Sequence, residues 1–202
     1  MRKIFVTGIS TDVGKTIVSA ILTEALKADY WKPIQTGLQT DSKTIKNLIS
    51  NDITIIHKES YHLPEPLSPH TAAALNGVEI SLSNINLPDS NNTTLIIEGA
   101  GGLMVPLNKD EFIFDIIIKA KASVILVVKN YLGSINHTLL SVYFMKLKNI
   151  KILGIIFNGE SNSSSENLIL NHTGLTCLGR IDQENEINSE TVKKYSKIFK
   201  NI

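Results

Sequence analysis

Residues 8–16 read GISTDVGKT and follow directly on the apolar run Ile4-Phe5-Val6. A glycine after a buried strand, then a Gly-Lys-Thr ending that opens a helix, are the parts of a phosphate-binding loop. In such a loop backbone N–H groups turn inward around an anion and the helix dipole adds positive potential. Five residues rather than four separate Gly8 from Gly14, so the strict spacing is missed by one. The favoured reading is a wider loop of the same kind, with Lys15 reaching the outer phosphates and Thr16 holding magnesium. The competing reading is an ordinary strand-to-helix turn that ends in Gly-Lys-Thr by chance.

The alternation that opens the chain continues along it. Apolar runs recur at residues 4–6, 30–32, 94–97, 124–128, 152–157 and, more faintly, 176–178. SVILVV and ILGIIF are apolar without alternating, as expected of parallel strands covered on both faces. Residues 16–28, 134–148 and 187–199 read as helices, the second opening on Gly133-Ser134 as a cap. The expected architecture is α/β: a doubly wound, mostly parallel sheet with helices on both faces, P-loop NTPase-like, in one domain over residues 1–202. Two stretches break the rhythm. HKESYHLPEPLSPH (57–70) has three prolines, expected to deny any regular element, and NGESNSSSEN (158–167) is expected to be a mobile polar surface loop.

Composition narrows the function classes. With 43% hydrophobic residues, 19% charged residues and a formal net charge of +1, the chain has no bias toward polyanions. Its only arginines are Arg2 and Arg180, too few for a phosphate-backbone grip, so nucleic acid is not an expected partner. The opening apolar run is too short for a signal peptide, and no later run reaches membrane-spanning length, so no membrane partner is expected. The lone cysteine, Cys177, fits a reducing cytoplasm and is expected to pack in a late strand. The five histidines show no metal-ligand spacing.

Two further stretches bear on chemistry. In TLIIEGAGG (94–102) a buried strand ends in Glu98 and a glycine-rich turn. Ligands of α/β sheets sit at the carboxyl ends of strands, so Glu98 would share a crevice with Lys15 and could hold magnesium; alternatively it is a solvated turn residue. In YWKPIQTG (30–37) Lys32 lies on the expected second strand, just before Pro33. A lysine there is costly to bury unless an anion meets it, and the alternative is an edge-strand lysine pointing to water. Asp41 could add a metal contact or merely cap a helix over residues 42–49.

Together VTGISTDVGKT, KPIQTG, Thr40-Asp41, PEPLSPH, EGAGGLMVPL, LGSINHT and FNG, in this order and spacing, resemble the dethiobiotin synthetases over about residues 3–159. The resemblance implies a homodimeric enzyme that converts 7,8-diaminononanoate, CO2 and Mg-ATP to dethiobiotin, ADP and phosphate through a carbamate and its mixed anhydride with phosphate. It implies catalytic roles for Lys15 and Lys32. Asp12, Val13, Gly14, Lys15, Thr16 and Ile17 would bind ATP, together with Asp41, Glu98, Gly99, Ala100, Gly101 and Asn158, the last at the adenine. Thr16, Asp41 and Glu98 would hold Mg2+. Thr36 would contact the diamine substrate, as would the segment with Gly133, Ser134 and Asn136, contributed from the partner subunit. Two departures stand out: GIST replaces the usual Gly-Thr-Asp-Thr, and LGRIDQ replaces Gly-x-x-Pro, leaving the base contacts near residues 181–184 open.

The main alternative on the same fold is a switch ATPase of the partition or septum-positioning type. Those proteins carry a second lysine near the start of the loop, and residues 7–13 contain none.

Overall fold

The computed structural model describes all residues, 1–202. Seven strands form one parallel sheet: β1 (Arg2–Gly8), β2 (Asp29–Trp31), β4 (Ile56–His57), β6 (Thr94–Glu98), β7 (Ser123–Lys129), β8 (Ile152–Asn158) and β9 (Cys177–Ile181), in the order β4-β2-β6-β1-β7-β8-β9. A separate parallel pair joins β3 (Ile34–Thr36) to β5 (Tyr61–Leu63). The inner strands β1, β6 and β7 are buried almost throughout, which is why their sequences lack alternation.

Seven helices cover the sheet: α1 (Lys15–Leu26), α2 (Asp41–Leu48), α3 (Pro69–Leu75), α4 (Ile113–Ala120), α5 (Ser134–Leu147), α6 (Ser163–Thr173) and α7 (Ser189–Ser196). α1 packs with α2 and α7, and α5 with α6 and, through Phe114–Phe144, with α4. The chain leaves β1 toward one edge and leaves β6 toward the other. Right-handed crossovers in opposite directions put the two helix groups on opposite faces. The reversal of direction beside β1 opens a crevice at the carboxyl ends of β1 and β6. No helix is long and apolar enough to cross a membrane.

Several expectations need correction. Lys32 lies one residue past β2, because Pro33 holds it extended and lacks the N–H to continue the ladder. Residues 57–70 are not devoid of regular structure: they contain the end of β4, all of β5 and the start of α3. Pro69 sits in the first turn of α3, where its missing N–H would have had no helical partner anyway. Residues 158–167 are only partly loop, since α6 begins at Ser163, with Asn162 Oδ1 accepting from the Ser165 N–H at 3.0 Å. Cys177 does open a strand, β9, but is exposed rather than packed.

Candidate active site

The loop after β1 carries two left-handed residues, Asp12 at φ 55° and Gly14 at φ 93°. Turns of this kind form the concavities in which successive backbone N–H groups cradle anions. Gly14 is required twice over: its φ disfavours any side chain, and a Cβ there would collide with the Asn158 amide. That amide donates from Nδ2 to the Val13 carbonyl at 2.9 Å, tying the end of β8 to the loop. Lys15, the first residue of α1, is buried and curls back so that Nζ donates to the Ser10 carbonyl at 3.0 Å. Burial depresses its pKa; Glu98 opposes that shift and the nearby Lys32 cation adds to it.

Lys32 comes from the end of β2 and Glu98 from the end of β6; both are buried, at 6% and 1% exposure. Lys32 Nζ donates to Glu98 Oε1 at 3.1 Å and to Asp41 Oδ2. Burial works to lower the Lys32 pKa, but the charges of Glu98 and Asp41 and the hydrogen bonds to them outweigh it, holding the group above the ordinary lysine value. The edge-strand alternative for Lys32 is therefore closed.

Asp41 is placed by its own loop. Gln35 on β3 is buried; its Nε2 donates to the carbonyls of Thr36 (2.8 Å) and Gln39 (3.2 Å), and its Oε1 accepts from the Asp41 N–H at 3.0 Å. The capping residue of α2 is Thr40, leaving the Asp41 carboxylate free to face the crevice. There Thr16 Oγ1 lies 3.1 Å from Asp41 Oδ1 and 2.9 Å from Glu98 Oε1. One hydroxyl and two carboxylates thus converge on a single point. This is a hard-oxygen donor set that suits Mg2+, which takes one or two carboxylates and completes its shell with phosphate oxygens and water.

These groups line one polar cleft of about 520 Å³, walled also by Asp12, Gly14, Ile17, Thr36, Ala100 and Gly101. Val13, Gly99 and Asn158 are not in its lining: Val13 and Gly99 are buried beneath it, and Asn158 stands behind the loop. Gly133, Ser134 and Asn136, at the start of α5, do not line it either. A second, apolar cavity of about 540 Å³ adjoins it at Thr11, between the loop and α5, and Ile9 and Ser10 form part of its wall. The loop's departure from Gly-Thr-Asp-Thr thus faces apolar space rather than the polar cleft.

Three contributors escaped the sequence reading. Gln35 was visible only as part of KPIQTG. Tyr30, fully buried, donates its hydroxyl to Glu98 Oε2 at 2.8 Å. Arg180 on β9 pairs with Glu166 of α6, donates to the Gly159 carbonyl at 3.1 Å and lies over the Phe157 ring. Glu166 Oε1 also accepts from Asn130 Nδ2 at 2.6 Å and from the Asn162 N–H at 2.9 Å, so the β8–α6 connection is tethered on several sides.

A parallel sheet with a phosphate loop after its central strand, and a lysine and carboxylates from neighbouring strand ends around it, defines a P-loop nucleotide-binding protein. Solved structures agree on the fold. The cell division ATPase MinD of Pyrococcus furiosus superposes with a TM-score of 0.57 at 13% identity, covering 98% of this chain and 97% of its own. A ParA family ATPase from Chlorobium tepidum gives 0.55 at 13%, covering 99% and 92%. At that identity the likeness concerns fold alone.

Residues 2–191 match a family model described as an AAA domain. Curated relatives are more specific. ATP-dependent dethiobiotin synthetase BioD of Cytophaga hutchinsonii is 54% identical over 100% of this chain and 98% of its own length. The proteins of that name from Christiangramia forsetii and Chlamydia felis are 47% and 42% identical, each over 98% of this chain and over 96% and 93% of their own lengths. The chain belongs to the family of ATP-dependent dethiobiotin synthetases.

Proposed function

We propose that the protein closes the ureido ring of dethiobiotin from 7,8-diaminononanoate and CO2 at the expense of ATP, as a cytoplasmic homodimer. The observation that carries this reading is Lys32. A module that only bound nucleotide would need the loop lysine, Lys15; a second buried lysine in the same cleft, held there by Asp41 and Glu98, supports a second anion in the reaction.

In the proposed sequence one amine of the diamine takes up CO2 as a carbamate. A carbamate oxygen attacks the γ-phosphorus, ADP departs, and a carbamic–phosphoric anhydride results. The second amine then attacks the carbonyl carbon, the C–O bond to phosphate breaks, and the ring closes. The substrate brings both nucleophiles, so the protein's task is placement and charge neutralisation. Lys15 and the loop backbone, from Asp12 to Ile17, hold the triphosphate, with Ala100 and Gly101 forming the facing wall. Lys32 neutralises the carbamate and the charge that builds on the transferring phosphoryl group. Thr36, a half-buried residue in the lining of the same cleft, contacts the diamine end of the substrate. Thr16, Asp41 and Glu98 would hold Mg2+, which when bound neutralises phosphate charge. Asn158 keeps Oδ1 available for the base while Nδ2 holds the loop.

The exposed apolar side chains Leu132, just before α5, and Leu140, Tyr143 and Leu147 on it, with Leu140 also lining the apolar cavity, support the homodimer. In it, Gly133, Ser134 and Asn136 from the partner subunit would receive the substrate carboxylate at the start of α5. The test is phosphate release from Mg-ATP and bicarbonate with and without the diamine, the product identified by mass. Diamine-dependent release with formation of dethiobiotin is expected; diamine-independent hydrolysis without a ureido product would overturn the substrate assignment and favour a switch ATPase.

A further inference from the structure

Glu98 has two carboxylate oxygens, and only one of them faces the cleft. Oε1 lies near Thr16 Oγ1 and Lys32 Nζ, whereas Oε2 accepts the Tyr30 hydroxyl at 2.8 Å. The contact follows from register. Tyr30 on β2 pairs with Ile96 on β6, and Glu98, two residues further along, lies on the same face of the sheet. A phenol has the length to reach that diagonal neighbour, and both side chains are buried. The Tyr30 side chain hydrogen-bonds to none of the other groups of the cleft and is not in its lining.

We propose that Tyr30 is a positioning residue for the metal-nucleotide site: by occupying Oε2 it fixes the carboxylate plane of Glu98 and commits Oε1 alone to the cation. The inference rests on the reading of Glu98 as a magnesium ligand. A partner that orients a metal ligand in this way is worth about 10-fold or more in metal affinity. A tyrosine that merely filled the core would be replaced by phenylalanine without effect on the metal.

The experiment compares Tyr30→Phe and Glu98→Gln with the parent protein. Free Mn2+ is followed by its electron paramagnetic resonance signal as it binds in the presence of a non-hydrolysable ATP analogue. Tyr30→Phe is expected to weaken Mn2+ binding about 10-fold, with the affinity for the analogue measured without metal unchanged, and Glu98→Gln to weaken it at least as much. An effect of Glu98→Gln with none of Tyr30→Phe overturns the proposal for Tyr30 alone. No effect of either overturns the underlying metal assignment as well. Should the phenylalanine variant not fold, 3-fluorotyrosine placed at position 30 answers the question by its fluorine resonance. A shift on adding Mg2+ with the analogue supports the proposal, and an unmoved resonance refutes it.

Discussion

Removing the Lys32 ammonium while keeping its bulk, as in Lys32→Met, separates electrostatics from packing. Lys32 lies between Asp41 and Glu98, whose side chains are 26% and 0% exposed. Breaking a buried ion pair by deleting one partner costs about 3–5 kcal/mol because a charge is left uncompensated. Asp41 is partly solvated and can turn to water, so the lower end, about 3 kcal/mol, applies. For a domain of this size that is a fall in melting temperature of roughly 6–12 °C. Added Mg2+ can take the vacated place between the carboxylates. A cation at 100 times its dissociation constant returns about 2.7 kcal/mol, so the variant should recover most of the loss. The parent, whose own lysine already holds that place, should respond little to Mg2+ alone. Calorimetry of both proteins in EDTA and in Mg2+ is the assay. A variant that melts within about 2 °C of the parent in EDTA would show that Lys32 does not hold the carboxylates together, and one that gains nothing from Mg2+ would show that the cation does not take its place.

Asn158→Ala deletes the bond to the Val13 carbonyl that ties β8 to the phosphate loop. The loss of that bond together with the proposed contact to the base should raise the KM for ATP by about 10-fold or more with a smaller change in kcat, measured by steady-state kinetics. Lys32→Ala should leave binding of an ATP analogue within about twofold of the parent by calorimetric titration while abolishing turnover, because Lys32 pairs with Asp41 and Glu98 and, in the proposed reaction, meets the carbamate. For Glu24, burial favours the neutral form, but hydrogen bonds from Asn51 and Ser50 outweigh it and hold the carboxyl below its ordinary value. Since the folded pKa is the lower one, Glu24 contributes stability above the unfolded value, near 4.5, and that contribution is lost as the pH falls from there through the folded value. Urea midpoints of Glu24→Gln should therefore decline less than those of the parent between about pH 6 and about pH 3.

The features that sequence made legible are local ones. The phosphate loop, Lys32 before its proline, and Glu98 before its glycines are each written in a few adjacent residues, and the strand ends that bring them together follow from α/β topology. Tyr30 was not legible, because an aromatic residue in a buried strand reads as core and its partner is set by strand register, 68 residues away. The Arg180–Glu166 pair likewise depends on which strand lies beside which helix. Residues 158–167 were misjudged because serine and asparagine supply helix caps as readily as loops. The prolines of residues 57–70 misled because a proline that breaks a helix interior also starts a helix.

Oxygen labelling decides whether the carbamate or water attacks ATP. With 18O-labelled bicarbonate, unlabelled water and the diamine, the oxygen joining carbon to phosphorus in the anhydride leaves with phosphate when the ring closes. Attack by the carbamate puts one labelled oxygen in the phosphate released per dethiobiotin formed, read by mass spectrometry. Phosphate free of label, released at the same rate as dethiobiotin appears, would contradict it.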